Sequence, residues 1–175
     1  MRGVNIEGRE VSLRALEPED LDLIYMWEND MTAWDHSETR VPYSRHQLRE
    51  FIESQRQDVG VEGQSRFMIC RDDLSIGMVD IFEHDPYNHR AGVGIFIDPA
   101  YRSKGYALDA LLTLEGYLTV VFELRQLWCN ISIDNIASIE LFQKCGYRES
   151  GAKKQWRRRG AIYVDELFFQ KIFNK

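Results

Sequence analysis

The stretch that decides the fold, residues 98–112, reads DPAYRSKGYALDALL. It places Arg102, Lys104 and Gly105 just before the start of an apolar helix. A helix start already carries unpaired N–H groups and the positive end of the helix dipole, so added cations destabilise it unless an anion binds there. The stretch therefore predicts an anion, such as a diphosphate, at the beginning of this helix.

The preceding segment, residues 90–98 (RAGVGIFID), has the pattern of a strand with apolar side chains on one face. Gly92 and Gly94 leave its other face nearly bare. Glycine within a strand indicates either a bend of the sheet or the close approach of a ligand or another backbone. The strand and turn match neither the Walker phosphate loop nor the dinucleotide-binding fingerprint.

The rest of the chain alternates strands and helices, which predicts an α/β (α+β) fold in the order βααβββαβαββ. We expect a mixed, mostly antiparallel central sheet of about seven strands with helices on both faces. Ser44 and Gln47 form a capping box, Asn135 or Asp134 begins a short helix that runs to Lys144, and Gly146 ends it. The predicted strands are 10–14, 65–70, 75–83, 90–98, 125–131, 147–155 and 162–173, and the predicted helices are 18–27, 44–58, 107–121 and 135–144.

Length and composition indicate one domain spanning residues 1–175. No apolar run approaches the roughly 18 residues that span a bilayer, and the N-terminus has no signal-peptide core, so we expect a cytoplasmic protein without membrane contact. Cys70, Cys129 and Cys145 are widely spaced, which predicts reduced, buried thiols and no metal site.

The net charge of −6 argues against general nucleic-acid binding. Charge is unevenly distributed: residues 17–38 contain eight acids and no Lys or Arg, whereas residues 153–160 (KKQWRRRG) contain five cations. These segments are typical of a solvated helix face and an exposed hairpin tip. Alternatively, the acidic segment attracts a cationic substrate.

Two motifs resemble the GNAT N-acetyltransferase superfamily. The R-x-x-G-x-A turn that follows GVGIFID resembles its acetyl-CoA diphosphate loop. Residues 135–147 (NIASIELFQKCGY) are similar to its N-x-x-S/A-x-x-L-Y-x-x-x-G-F helix, and VSLRALEPEDL resembles its N-terminal segment. The motifs occur in the order of the family, and the pattern is most similar to spermidine/spermine N-acetyltransferases and their protein- or amino-sugar-acetylating relatives.

The resemblance implies acetyl-CoA as co-substrate, bound where strands 90–98 and 125–131 splay apart. It implies that backbone groups of Phe96 and Ile97 hold the pantetheine, and that Asn135 and Ser138 contact it. The alternative for Asn135 is that it only caps the helix. The resemblance also places Lys144 near a CoA phosphate. The alternative for Lys144 is that it only interacts favourably with the helix dipole. Residues expected to surround the diphosphate are Arg102, Ser103, Lys104, Gly105, Tyr106 and Ala107.

On the acceptor side, the resemblance assigns catalytic carboxylates to Asp80 and Glu83, although strand carboxylates are often only solvent-facing. From the acidic segment and its aromatic residues we expect substrate contacts at Glu28, Trp34 and Asp35. One departure from the family pattern is Phe142, because it stands where many members have a tyrosine that can protonate the leaving thiolate.

The function predicted from the sequence is acetyl transfer from acetyl-CoA to a primary amine, by direct attack within a ternary complex. The acidic segment favours a polyamine such as spermidine as the acceptor. The alternatives are a protein N-terminus, an amino sugar, or a non-catalytic module that binds acyl-CoA or polyamine. The partner is then a small-molecule or peptide amine, and formation of a homo-oligomer stays open.

Overall fold

The computed structural model describes residues 5–32, 34, 37, 39–55 and 63–173. Within these residues the strands are β1 (Ile6–Glu7), β2 (Ser12–Ala15), β3 (Ser65–Arg71), β4 (Leu74–Asp85), β5 (Arg90–Ile97), β6 (Gln126–Ser132), β7 (Arg148–Arg159) and β8 (Ile162–Ile172). The helices are α1 (Leu21–Glu28), α2 (Arg45–Ser54), α3 (Tyr106–Val121) and α4 (Ile136–Lys144), with short 3₁₀ turns at Pro18–Asp20 and Pro99–Tyr101.

The strands form one sheet in the order β1-β2-β3-β4-β5-β6-β8-β7. Neighbours are antiparallel except β5 and β6, which are parallel. The mixed, mostly antiparallel sheet predicted from the sequence is therefore confirmed, with eight strands instead of seven. The additional strand is β1, which lies too close to the N-terminus and is too short to show an alternating pattern.

Helices cover both faces of the sheet, as predicted. On one face, α3 and α4 share a hydrophobic cluster with the sheet, to which α3 contributes Leu111, Leu114 and Leu118. On the other face, α1 and α2 pack Trp27 and Leu48 against β3 and β4. The side chains of a strand alternate between these faces, so neighbouring residues of one strand serve different helices.

Local signals predicted the helix ends well. Ser44 and Gln47 form the reciprocal capping box of α2, with hydrogen bonds of 3.1 and 2.9 Å. Asn135 caps α4, and Gly146 follows its end in the left-handed conformation. Helix α2 ends at Ser54, before the predicted end at Asp58, which lies outside the described residues.

The closing hairpin differs from the prediction. The basic segment was expected at an exposed tip, but residues 153–159 belong to β7, and the hairpin turns at Gly160 and Ala161. The reason is that β8 supplies paired carboxylates, Asp165 and Glu166, that bond to cations of β7. The sequence alone does not show which strand faces these cations.

Candidate active site

The central feature of the candidate site is a gap between β5 and β6. The two strands pair only from Arg90 to Gly92 on β5, against residues 126–128 of β6. Beyond that point β5 stays bonded to β4, while β6 stays bonded to β8 as far as Ser132. The strands therefore splay apart, as the family resemblance implied, and one backbone edge of β5 has no strand partner.

The register of β5 decides which of its backbone groups face the gap. The N–H of Asp98 donates to the carbonyl of Ile76 on β4 at 2.9 Å. Because backbone direction alternates along a strand, the N–H and C=O of Ile97 point away from β4, towards the gap, whereas those of Phe96 point towards β4. Ile97 therefore presents its N–H to the gap, and its contact with pantetheine stays a prediction. Phe96 contributes its ring instead, 5.5 Å from that of Trp27.

The turn before α3 has an unusual backbone conformation. Gly105 has φ 85° and Ser103 has φ 60°, both in the left-handed region. No side chain caps α3, so the N–H groups of its first turn remain available. A helix N-terminus of this kind, preceded by left-handed turn residues, binds phosphate groups readily.

The cations of the turn are held by neighbouring backbone. Arg102 donates from Nε to the carbonyl of Ile97 at 2.8 Å and lies over the ring of Phe96. Lys104 donates from Nζ to the carbonyl of Ala100 at 3.2 Å. The partners of both side chains are neutral carbonyl groups, so a diphosphate at the uncapped helix start would add the missing negative charge.

The other residues predicted to bind the cofactor lie around the same end of the sheet or along the adjacent helix. Ala107 is half-buried in the first turn of α3, and the hydroxyl of Tyr106 lies 3.5 Å from Nη1 of Arg71. Asn135 accepts from the N–H of Ser138 at 3.2 Å, which confirms its capping role; a contact to pantetheine stays a prediction. Lys144 is the exposed last residue of α4, about 13 Å from Asn135 at 1.5 Å per residue.

Glycine at position 92 has a reason that the sequence did not show. A Cβ atom there would lie 2.3 Å from the ring of Phe82, its cross-strand neighbour on β4. Gly94 leaves room beside the same ring, at 3.8 Å. The bare face of β5 therefore accommodates an aromatic ring, which in turn packs edge-on against Trp128 at 5.2 Å. At Gly92 the close approach is therefore that of a side chain, not of a ligand or another backbone.

Asp80 and Glu28 are brought together by Arg66, a residue that the sequence analysis missed. Arg66 donates to both carboxylate oxygens of Asp80 at 2.5 and 2.8 Å and to Glu28 at 2.5 Å. Burial lowers the pKa of Arg66, but the two carboxylates outweigh it and raise this pKa above its ordinary value. Asp80 therefore lies opposite Gly94 beside the gap as a paired carboxylate, not as an isolated base.

The remaining predicted acceptor residues are more dispersed. Glu83 is exposed and left-handed, with φ 48°, in the irregular part of β4 between Phe82 and Asp85. Trp34 donates from its indole N–H to the carbonyl of Glu28 at 2.8 Å, so it lies close to the Arg66 cluster. Asp35 lies outside the described residues.

A buried carboxylate, that of Glu166, flanks the gap from the β6 side. It lies opposite Ser132 in the β6–β8 ladder and is 2 % exposed. Lys153 donates to one of its oxygens at 3.0 Å and Arg157 to the other at 2.5 Å. Burial raises the pKa of Glu166, but these two cations lower it overall. Asp80 and Glu166 thus stand on the same face of the sheet on opposite sides of the gap.

Phe142 lies in the core. It is 2 % exposed and packs edge-on against Tyr147, with ring centroids 4.9 Å apart. The hydroxyl of Tyr147 is buried on the α3 side of the sheet, where burial and the nearby Glu115 raise its pKa well above the ordinary value. Neither ring therefore offers an acid poised for proton transfer at the gap.

The comparisons with known proteins agree with this geometry. The family described as "Acetyltransferase (GNAT) domain" matches residues 10–148. The chain belongs to the GNAT acetyltransferase family. As a member of that family it is an N-acetyltransferase, and the gap and the α3 turn are in the positions that the family resemblance implied.

Individual proteins resemble the chain in sequence or in fold. The acetyltransferase is 29% identical over 150 residues to spermidine N(1)-acetyltransferase from Escherichia coli K12, covering 82% of this chain and 76% of that one. Its fold matches spermidine N-acetyltransferase from Vibrio cholerae in complex with CoA and spermine, with TM-score 0.83, 23% identity and coverage of 93% and 95%. It also matches the ribosomal L7/L12 α-N-protein acetyltransferase RimL in complex with CoA, with TM-score 0.86, 17% identity and coverage of 97% and 98%.

The described residues hold neither a group of metal-ligating side chains nor a membrane-spanning helix. Among residues 5–32, 34, 37, 39–55 and 63–173, no three His, Cys, Asp or Glu side chains are grouped so that they could hold a metal ion. None of the helices in that part of the chain is long and apolar enough to cross a membrane. The three cysteines are buried and unbridged.

Proposed function

We propose that the acetyltransferase moves the acetyl group of acetyl-CoA to a primary amine by direct attack within a ternary complex. The observation that carries the proposal is the gap between β5 and β6, which leads to the uncapped, left-handed turn before α3. An unpaired strand edge suits the amides of pantetheine, and the helix start suits the diphosphate. The residues present therefore fit acetyl-CoA, which supplies the activated acetyl group.

The chain's own groups account for the steps around the transfer. The N–H of Ile97 faces the gap and would polarise the thioester carbonyl. An alkylammonium group has a pKa of about 10.4, so the acceptor amine must lose a proton before it attacks the thioester. Both oxygens of Asp80 accept a hydrogen bond from Arg66, but a carboxylate has about four acceptor positions. Asp80 can therefore also accept a hydrogen bond from a water molecule, and through this water it would take the proton of the acceptor amine.

Loss of the thiolate proceeds without a tyrosine acid in this proposal. Phe142 carries no proton to donate and is buried. A thiol has a pKa of about 8.5, so its thiolate is a reasonable leaving group at neutral pH without prior protonation. Transfer is expected to be fastest at mildly alkaline pH, where more of the acceptor amine is neutral.

A polyamine acceptor is one form of this proposal, and it is supported by the similarity to spermidine N(1)-acetyltransferase. The acidic segment, residues 17–38, supports a polyamine acceptor less than its sequence suggested. Several of its carboxylates are already bonded to arginines, namely Asp20, Asp22 and Glu28. A homo-oligomeric state stays a prediction.

The test is a thiol-release assay with acetyl-CoA and a panel of spermidine, amino sugars and peptides with free N-termini. Release that depends on the amine, with a mass increase of one acetyl group on the acceptor, is the expected result. CoA binding without turnover on any amine would refute the enzymatic proposal in favour of a binding module.

A further inference from the structure

Trp27 links helix α1, on the acceptor side of the sheet, to the end of strand β5. Its side chain is 4% exposed, and its indole N–H donates to Oδ2 of Asp98 at 2.9 Å. A buried indole N–H without an acceptor is costly, so this bond specifies how the ring is oriented. Asp98 directly follows Ile97, the residue whose N–H faces the gap.

Asp98 has a hydrogen-bond partner for each of its four polar groups. Its backbone N–H donates to the carbonyl of Ile76 on β4 at 2.9 Å, and its backbone carbonyl accepts from the N–H of Tyr101 at 2.8 Å. Its Oδ1 accepts from the N–H of Ala100 at 2.9 Å, and its Oδ2 accepts from Trp27. Asp98 therefore joins the end of β5 to β4, to α1 and to the 3₁₀ turn that follows.

The bond from Trp27 differs from the other three. In each of those, the partner of Asp98 is a backbone group, which a side-chain substitution leaves in place. The indole N–H is a side-chain donor from a helix that is far away in the sequence, and a single substitution removes it. The contribution of α1 to the position of Asp98 can therefore be tested alone.

The peptide group between Ile97 and Asp98 is held at both ends. Its N–H, that of Asp98, donates to β4, and its carbonyl, that of Ile97, accepts from Nε of Arg102 at 2.8 Å. The guanidinium of Arg102 lies over the ring of Phe96, 5.7 Å from its centroid, and that ring packs against Trp27 at 5.5 Å. Trp27 is therefore connected to Arg102 by two routes, through Asp98 and through Phe96.

Both routes end at groups that are expected to meet the cofactor. The N–H of Ile97 would polarise the thioester carbonyl, and Arg102 stands in the turn that would hold the diphosphate. Groups that stabilise charge act best when they are already oriented before the ligand arrives, because no free energy is then spent on ordering them.

We propose that Trp27 is a positioning residue for acetyl-CoA, whose indole N–H fixes Asp98 and thereby orients the N–H of Ile97 and the guanidinium of Arg102. The proposal rests on the proposed function, because it assumes that acetyl-CoA binds along β5 and at the turn before α3. The next residue of α1, Glu28, bonds to Arg66 on the acceptor side without using the indole. Loss of the indole N–H is therefore expected to affect the cofactor and not the acceptor amine.

The first variant is Trp27→Phe, which removes the indole N–H and keeps an aromatic ring next to Phe96. We expect the Kd of CoA, from calorimetric titration, and the KM for acetyl-CoA, from thiol release, each to rise about tenfold, near the lower end of the range for a hydrogen bond to a charged group. The kcat should fall about threefold, because the N–H of Ile97 is less well aligned with the thioester carbonyl. The KM for the acceptor amine should change by less than about twofold.

A second variant, Asp98→Asn, tests the same bond from its other end, because Trp27→Phe also leaves a cavity. The amide oxygen can still accept from Ala100, but the amide NH₂ group then faces the indole N–H. Removal of a carboxylate near a diphosphate would, by charge alone, tighten CoA binding. A weaker affinity for CoA in Asp98→Asn therefore reports lost positioning. The double variant should lose no more affinity than either single variant, because both substitutions remove one bond.

The matched control is Asp85→Asn at the opposite end of β5. Asp85 accepts from the N–H of Asn88 at 3.0 Å in the turn before β5, so its substitution also removes a turn-capping carboxylate. The Kd of CoA should stay within about twofold of that of the unmodified protein, whatever the change in the free energy of unfolding. Urea denaturation of all variants confirms that each is folded under the assay conditions.

Binding and turnover together separate this inference from the proposed function. Unchanged or tighter CoA binding in both the Trp27 and Asp98 variants, a loss confined to the KM for the acceptor, additive losses in the double variant, or an equal loss in Asp85→Asn would overturn the inference while leaving acetyl transfer intact. Weaker CoA binding in the Trp27 and Asp98 variants only, with no turnover of any amine by the unmodified protein, would instead refute the proposed function and support the positioning role.

Discussion

The most direct test of the cofactor assignment is a charge placed at Gly105. This residue is in the left-handed region at φ 85°, and a Cβ atom there would meet no heavy atom within 4 Å. Alanine therefore causes conformational strain of about 1 kcal/mol without a steric clash. The structure offers a matched control in Gly160, which has φ 60° and equally open surroundings at the hairpin tip.

The size of the effect on CoA follows from the position of the added charge. A Gly105→Glu carboxylate about 4 Å from a bound phosphate would repel it by about 4 kcal/mol at an effective dielectric constant near 20. This corresponds to a loss of affinity of more than 100-fold, at about 1.4 kcal/mol per factor of ten. Gly105→Ala removes no N–H donor and adds no charge, so we expect its affinity for CoA to fall by less than about fivefold.

Calorimetric titration with CoA and urea denaturation of the same samples provide the comparison. We expect Gly105→Ala and Gly160→Ala to lose similar unfolding free energy, and only the Gly105→Glu variant to lose CoA binding. A folded Gly105→Glu variant that binds CoA within threefold of the unmodified protein would refute the placement of the diphosphate at this turn.

Three further predictions concern stability and the missing acid. Phe142→Tyr should lower the free energy of unfolding by about 1 to 3 kcal/mol, because the added hydroxyl would be buried against Tyr147 without an evident hydrogen-bond partner. An increase in turnover above tenfold in the thiol-release assay would instead show that this hydroxyl serves as the acid. Asp109 accepts hydrogen bonds from the backbone N–H groups of residues 9–11, at 2.7 to 3.2 Å, so Asp109→Asn should lower the free energy of unfolding in urea by about 1.5 to 3 kcal/mol. An unchanged free energy of unfolding would show that these hydrogen bonds do not stabilise the N-terminal segment. Because the pKa of Glu166 is lowered in the folded protein, its carboxylate stabilises the fold above about pH 4.3, and this stability is lost as pH falls through the folded-state pKa. The melting temperature of Glu166→Gln should therefore fall less steeply from pH 7 to pH 2 than that of the unmodified protein, and parallel curves would contradict this.

Much of the local backbone geometry around the predicted cofactor site could be predicted, because it depends on contacts within a few residues. The turn before α3 needs a left-handed residue, and glycine occupies that position at Gly105. The capping residues Ser44 and Asn135 bond to groups only three residues away, so their roles can be inferred from the sequence. Recognition of two family motifs then supplied the splayed strands, which no local pattern in β5 or β6 reveals.

The acceptor side was predicted less well because its charges are paired over long sequence distances. Arg66 joins Asp80 and Glu28, which are 14 and 38 residues away along the chain. Lys153 and Arg157 share Glu166, whose role only strand pairing determines. The acidic segment therefore suggested a cationic substrate, whereas three of its carboxylates are paired with arginines in the folded protein.

The sequence by itself determined the order of the elements, the ends of the helices and the place of the turn before α3, since those features arise from backbone conformations and contacts within a few residues. The tertiary structure decided which charges remain free. Whether a carboxylate attracts a substrate depends on the cation that faces it, and at Asp80 and Glu166 that cation comes from another strand. It also decided that Gly92 makes room for Phe82, because cross-strand register brings the ring over the glycine.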